Sequence, residues 1–334
     1  MVTLWSNIPY AMSLLFLTTV IIEIMHAKDI STWTLFKLAL ALPLTFTTRS
    51  EGFVPAILTI AFIFIFALRK PIKPKLILAT VTGCVLIALI QGPLYYNLTT
   101  RSQEKGPIVA ASSVLFLDGI QSVLYFGGDL APETTAYLER FAPISDWKSA
   151  YNIYNTNYRG KLHQSLRKSH IATAEFASAV KEHYLKTLVR EPFLLIQNRI
   201  NKSNLVWDIT QPDNVYGMER VSTEIYQHKY FNFPRHENML TTVITRFVYP
   251  ITVYIAPLDV LLYRSGIYVI LSMLLCVYLS VHEMRKYLAA FIPMLGGILA
   301  LLVSMAWPNY RYIWFIPVIF TFIAPYLLSC RKSQ

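Results

Sequence analysis

The chain has 334 residues, 54% of them hydrophobic and 15% charged, with a formal net charge of +11. Soluble domains run about 45–50% apolar and about 25% charged, so this balance excludes an ordinary water-soluble fold. The charge has a location: residues 97–240 hold 16 basic and 14 acidic side chains, and the rest of the chain holds 14 and 5. Basicity beside the apolar runs is the footprint of membrane topology and argues against nucleic acid as a partner.

The first apolar run covers residues 8–25. It has no basic start and no small-residue cleavage site, and Glu23 lies near its end, so it predicts a span and not a cleavable signal. Further spans are predicted at 33–47, 53–68 and 76–95. The link Arg69-Lys70-Pro71-Ile72-Lys73-Pro74-Lys75 carries positive charge only and is assigned to the cytoplasm. By alternation, the N-terminus, Thr48–Gly52 and the block that follows the fourth span face outside, and His26–Thr32 faces inside.

Residues 97–240 are rich in Tyr, Phe, Trp and Leu, unlike a disordered tail. Residues 108–126 are apolar but interrupted by Asp118 and Gln121, which predicts an amphipathic helix on the membrane or lining a cleft; a further span is the alternative. Ala131-Pro132-Glu133 opens a helix, with proline in the first turn and acid near the positive end. Residues 171–190 repeat apolar groups at helical spacing, Glu191-Pro192 ends that helix, and a second runs over 193–205. Such a pair packs over an extracytoplasmic membrane face.

Apolar runs return at 243–263, 266–281, 288–305 and 313–328. The first contains Pro250, Pro257 and Asp259. A charge at a bilayer centre costs at least about 2.5–3.5 kcal/mol, and an internal proline removes a backbone hydrogen bond. This run is therefore predicted to be interfacial or half-inserted, which puts Arg285 and Lys286 inside and Tyr310 and Arg311 outside. The expected fold is all-α: a polytopic, multi-pass membrane protein of about seven spans plus the half-inserted element. It divides into an N-terminal membrane domain (1–96), an extracytoplasmic helical block (97–242) and a C-terminal membrane domain (243–334).

Cys84, Cys276 and Cys330 form no CxxC or Cys/His spacing, so neither disulfides nor a metal site is predicted, and no cofactor motif is present. The patterns Asn97-Leu98-Thr99 and Asn201-Lys202-Ser203 match glycosylation acceptors and are taken as chance. The histidines have no paired spacing, and neither a glycine-rich phosphate loop nor a nucleophile elbow occurs. The chemistry-bearing candidates are Arg49 and Glu51 between the second and third spans, and Tyr310 and Arg311 before the last. An arginine fork grips phosphate oxygens, and a neighbouring carboxylate orients it or touches a sugar hydroxyl. The plain alternatives are a snorkelling turn arginine and an interfacial aromatic belt. External acids such as Glu104, Asp118, Asp146 and Glu219 are possible general bases, and no spacing singles one out.

The chain resembles the C-terminal two-thirds of bacterial polytopic glycosyltransferases of the GT-C superfamily. The resemblance lies in Ile8-Pro9-Tyr10, Arg49-Ser50-Glu51-Gly52, Asp146-Trp147-Lys148-Ser149-Ala150-Tyr151 and Pro308-Asn309-Tyr310-Arg311-Tyr312. It implies transfer of a sugar from a polyprenyl-phosphate donor, on the outer face, to a cell-envelope acceptor. It also implies a catalytic acid in a loop after the family's first span. No Asp or Glu precedes the first apolar run here, so the expectation is a chain lacking that loop, with its catalytic residue unknown. A non-catalytic assembly subunit, a polysaccharide polymerase or ligase, and a lipid-linked sugar transporter are the rival readings.

Overall fold

The computed structural model describes residues 2–27, 29–67, 73–94, 106–153, 174–207, 264–304 and 313–330. Every regular element among them is a helix. Helix α1 (Val2–His26) is mostly apolar; most of its described side chains are buried between the helices described next, and one face leaves Ile8 and Met12 exposed. Leu17, Val20, Ile21 and Ile24 enter one core cluster, with residues of α2 (Thr32–Thr48), α3 (Phe53–Ala67) and α4 (Lys73–Leu89). Tyr10, Leu14 and Ile22 enter a second, with α11 (Ser265–Val281), α12 (Ile292–Ser304) and α13 (Phe315–Ser329). The first and last parts of the sequence thus share one bundle with α1 as its spine.

Polar contacts fix the directions. Ser31 caps α2, its hydroxyl accepting from the Thr34 N–H at 3.1 Å, which satisfies an amide the helix cannot. At that end Lys37 pairs with Glu23 at 2.6 Å; at the other, the Thr45 hydroxyl donates to the Ser13 carbonyl at 3.4 Å. Helices α1 and α2 are therefore antiparallel. His26, closing α1, lies 3.3 Å from the Tyr287 hydroxyl and 3.6 Å from the Cys330 sulfur. Tyr10, near the start of α1, meets the Phe315 ring edge-on at 5.8 Å. One end of the bundle thus gathers Glu23, His26, Lys37, Tyr287 and Cys330, and the other gathers Tyr10, Arg49 and Phe315.

The predicted runs at 8–25, 33–47, 53–68, 76–95, 266–281, 288–305 and 313–328 fall on α1 to α4 and α11 to α13, with a 3-10 segment (Arg285–Phe291) leading α12. The run at 243–263 lies outside the described residues. Among the described residues three helices, Ile8–His26, Pro74–Gly92 and Arg285–Val303, are long and apolar enough to cross a membrane. Others, including Phe53–Phe66, Ser265–Val281 and Phe315–Ser329, are apolar but shorter. Leu78, Val85, Leu274, Val277 and Phe322 point outward from the bundle.

Helix α12 crosses α3 at Gly296, where an added Cβ would fall on the Pro55 backbone. Neither backbone yields as a side chain would. Gly296→Ala is expected to destabilise the chain by about 1–3 kcal/mol through overpacking. Gly92→Ala, whose Cβ meets nothing within 4 Å, is the control with an unchanged thermal midpoint; equal midpoints for the two would show that the crossing is loose.

The block comprises α5 (Gly106–Tyr125), α6 (Pro132–Glu139), α7 (Ile144–Ala150), α8 (Ala174–Arg190), α9 (Pro192–Lys202) and α10 (Asn204–Trp207). Pro132 stands in the first turn of α6 with Glu133 beside it. Trp147 is fully buried among Leu117, Ile120, Leu138, Phe176 and Val180, and its indole N–H donates to the Leu138 carbonyl at 3.2 Å. The block seats on the bundle where α9 touches α12 and α10 touches α11. Val206 joins the same core cluster as Tyr10.

Candidate functional site

Arg49 follows the last residue of α2 and adopts an extended backbone (φ −148°, ψ 154°), which ends the helix. A 3-10 turn, Ser50–Gly52, then leads into α3, closed by the Gly52 N–H donating to the Arg49 carbonyl at 3.0 Å. Only glycine fits at residue 52, because a Cβ there would fall on the Thr45 carbonyl oxygen. The turn carries Arg49 and Glu51 out on the same side. Arg49 Nε donates to Glu51 Oε2 at 3.1 Å and Nη2 donates to Oε1 at 3.0 Å, the two-pronged geometry that fixes a guanidinium plane. The Arg49 guanidinium lies 5.4 Å above the Tyr10 ring. The Arg49 side chain is 7% exposed and Glu51 18%, so the pair is screened from bulk solvent but reaches the surface.

Tyr310 and Arg311 lie outside the described residues. Of the described residues that follow them, Ile313 and Phe315 are buried and Trp314 between them is exposed, and Phe315 contacts Tyr10. The start of α13 therefore stands at the Arg49 end of the bundle.

Asp118 is not placed to act on a substrate. It is 1% exposed and paired with Lys202, itself fully buried, at 3.1 Å. Its second oxygen accepts from Asn198 Nδ2 at 3.1 Å. The Asn198 side-chain oxygen Oδ1 accepts from the Tyr151 hydroxyl at 2.7 Å, and Lys202 also donates to the Asn152 backbone carbonyl. Burial pushes the Asp118 carboxyl above its usual range and the Lys202 ammonium below its own, while each charge opposes the other's shift. Burial also raises the Tyr151 phenol, and the Asp118 carboxylate adds to that rise. Gln121, one turn along α5 from Asp118, donates to the Trp147 carbonyl. The two polar interruptions of the apolar 108–126 run thus clamp α5 to α9 and α7.

Of the other acids, Glu133 and Glu182 flank Lys186 at 3.6 and 3.0 Å on an exposed face. His183 contacts the Thr134 hydroxyl at 3.0 Å and stacks on Tyr137; burial, then Lys186, holds its pKa below the usual value. The Asn201-Lys202-Ser203 pattern sits in the buried clamp, with the Ser203 hydroxyl donating to the Arg199 carbonyl at 2.9 Å. Among the described residues no three His, Cys, Asp or Glu side chains gather where a metal ion would be held.

Sequence reading missed Tyr10 as the platform under Arg49, and Asn198 and Lys202 as the partners of Asp118. The second had a partial signal: Asn198 and Lys202 share one face of α9 at helical spacing, as Asp118 and Gln121 share one face of α5, which marks two polar faces without pairing them. No family model, no curated protein and no solved structure matches this chain.

Proposed function

We propose that this chain is a multi-pass membrane glycosyltransferase component that binds a polyprenyl-phosphate-linked sugar at the extracytoplasmic end of its bundle. Arg49 binds the phosphate and Glu51 orients the guanidinium or meets a sugar hydroxyl. The observation that carries this reading is the Arg49–Glu51 pair itself. Both prongs of the fork are set by Glu51, Tyr10 supports the guanidinium from below, and a rigid glycine turn carries the pair. A preset guanidinium needs little reorganisation when phosphate charge grows on a leaving group. The outward apolar faces of α4, α11 and α13 supply lipid-facing surface along which a polyprenyl tail would lie. Arg311 is the second proposed cation and Tyr310 its aromatic neighbour. On this reading the bundle end gathering His26, Tyr287 and Cys330 is cytoplasmic, in line with the basic residues of residues 69–75 and 285–286.

A specific observation keeps a second reading in view. The acid that the site supplies, Glu51, is held by Arg49 through both oxygens, and Asp118 is sealed by Lys202. A subunit that captures the phosphate lipid and presents it to a partner enzyme needs no base of its own.

The full-length chain in lipid nanodiscs is expected to retain an added polyprenyl phosphate through native mass spectrometry. Arg49→Ala is expected to weaken retention at least about tenfold, the effect of losing about 1.4 kcal/mol of charge-assisted hydrogen bonding. Retention by the wild type no better than that of a neutral polyprenol overturns the reading. Release of polyprenyl phosphate from a polyprenyl-phosphate sugar separates the transferase from the capture subunit.

A further inference from the structure

Helix α9 is built the wrong way out for water. Its inward face is Leu195, Asn198 and Lys202, and its outward face presents Phe193, Ile196 and Ile200 at helical spacing. A helix on a soluble surface turns its apolar stripe inward. The end of α8 continues the pattern: Leu185, Leu188 and Val189 are all exposed, Val189 at 85% and Phe193 at 82%. Together they make one apolar patch across the α8–α9 turn, too continuous for the scattered exposed groups of a soluble monomer. Exposed Lys186 and Arg190 stand beside it.

We propose that this patch is an interfacial foot, seated in the headgroup–acyl boundary of the bilayer. Continuity with the bundle surface selects lipid as the occupant. Helix α9 packs on α12, whose Leu295, Leu299 and Val303 point outward, and α10 packs on α11, whose Ile270, Met273 and Val277 do the same. The apolar foot and the apolar bundle surface are joined through these contacts, and the exposed Arg190 beside the foot matches lipid phosphates. Amphipathic helices of this kind sit about 5–10 Å into the boundary. The Asp118–Lys202 clamp then has a mechanical role: it holds α9 from behind while its apolar side is in lipid. This inference rests on the multi-pass reading above.

The test uses the full chain with Cys84, Cys276 and Cys330 replaced by alanine, reconstituted in nanodiscs. An environment-sensitive fluorophore is attached at Phe193→Cys, Ile196→Cys or Ile200→Cys. Lipids carrying a nitroxide near the headgroup or near the chain end serve as shallow and deep quenchers. All three sites are expected to emit blue-shifted and to be quenched more by the shallow probe. Glu175→Cys, exposed at the other end of α8, should emit as in water. Leu78→Cys, outward on α4, should be quenched by the deep probe. Aqueous emission at the three foot sites with deep quenching at Leu78 overturns the foot alone; aqueous emission at Leu78 overturns the membrane reading beneath it. A blue shift that no lipid probe quenches overturns the foot by assigning the patch to a protein partner or a second copy.

Discussion

Lys202→Met is expected to destabilise the chain by about 3–5 kcal/mol, because it strands a buried carboxylate without its cation. Asp118 and Lys202 are both sealed from solvent, and Asn198 and Tyr151 are threaded through the same network. Methionine fills much of the lysine's volume, so the loss is electrostatic and not a cavity. The double variant Asp118→Asn/Lys202→Met should recover most of the stability, since removing both partners of a buried pair is often neutral. Thermal unfolding in nanodiscs reads both. A single variant within about 0.5 kcal/mol of wild type, the range of ordinary surface substitutions, would show that the pair contributes nothing.

The pH dependence of that variant has a definite sign. Burial already pushes the Asp118 carboxyl above its usual range, and Lys202 opposes the shift. Without Lys202 the folded-state value rises further above the unfolded one. A group whose folded pKa is raised contributes stability below its unfolded pKa and loses it as pH rises through the folded value. The deficit of Lys202→Met should therefore be full at neutral pH and shrink on acidification, whereas a deficit caused by lost packing would stay constant.

Helix positions were legible because the apolar runs are bounded by charged or turn-forming residues and are long enough to make helices. The grouping of bundle ends was legible for a related reason. The expectation that Lys286 lies on the side of His26 agrees with Tyr287 packing against His26; the run at 243–263 lies outside the described residues. Long-range polar pairing was less legible. Asp118 lies 80 residues from Asn198, and nothing local ties an acid on one helix to an amide on another so distant. Asp118 read as a catalytic candidate because a lone acid in an apolar run has two explanations, chemistry or a buried partner, and only packing separates them. Arg49 was legible as a residue but not as a geometry. The sequence contains Tyr10, yet only the antiparallel pairing of α1 with α2 brings that ring beneath the guanidinium.

Gly52→Ala is expected to remove both folding stability and phosphate-lipid retention, although it leaves every charged side chain in place. The added methyl would fall on the Thr45 carbonyl oxygen, with the Phe46 carbonyl oxygen 3.2 Å away. Both belong to the backbone of the last turns of α2, so no rotamer change relieves the clash. Either α2 frays from Thr45 onward or the Ser50–Gly52 turn moves away from it. Fraying releases the Thr45 hydroxyl from the Ser13 carbonyl and loosens the α1–α2 contact; overpacking of this kind costs about 1–3 kcal/mol. Movement of the turn carries Glu51 off the fork of Arg49, and a misplacement of about 1 Å is enough to cost a preorganised site up to about a hundredfold. Glu51→Gln is the comparison, because it weakens the fork's partner without touching the backbone. It should lower retention with a smaller fall in the thermal midpoint, because the amide oxygen still accepts one prong of the fork, whereas Gly52→Ala lowers both and the midpoint by more. Retention that survives Gly52→Ala alongside a lowered midpoint would mean that Arg49 binds phosphate without help from the turn, and the preset geometry would no longer explain the site.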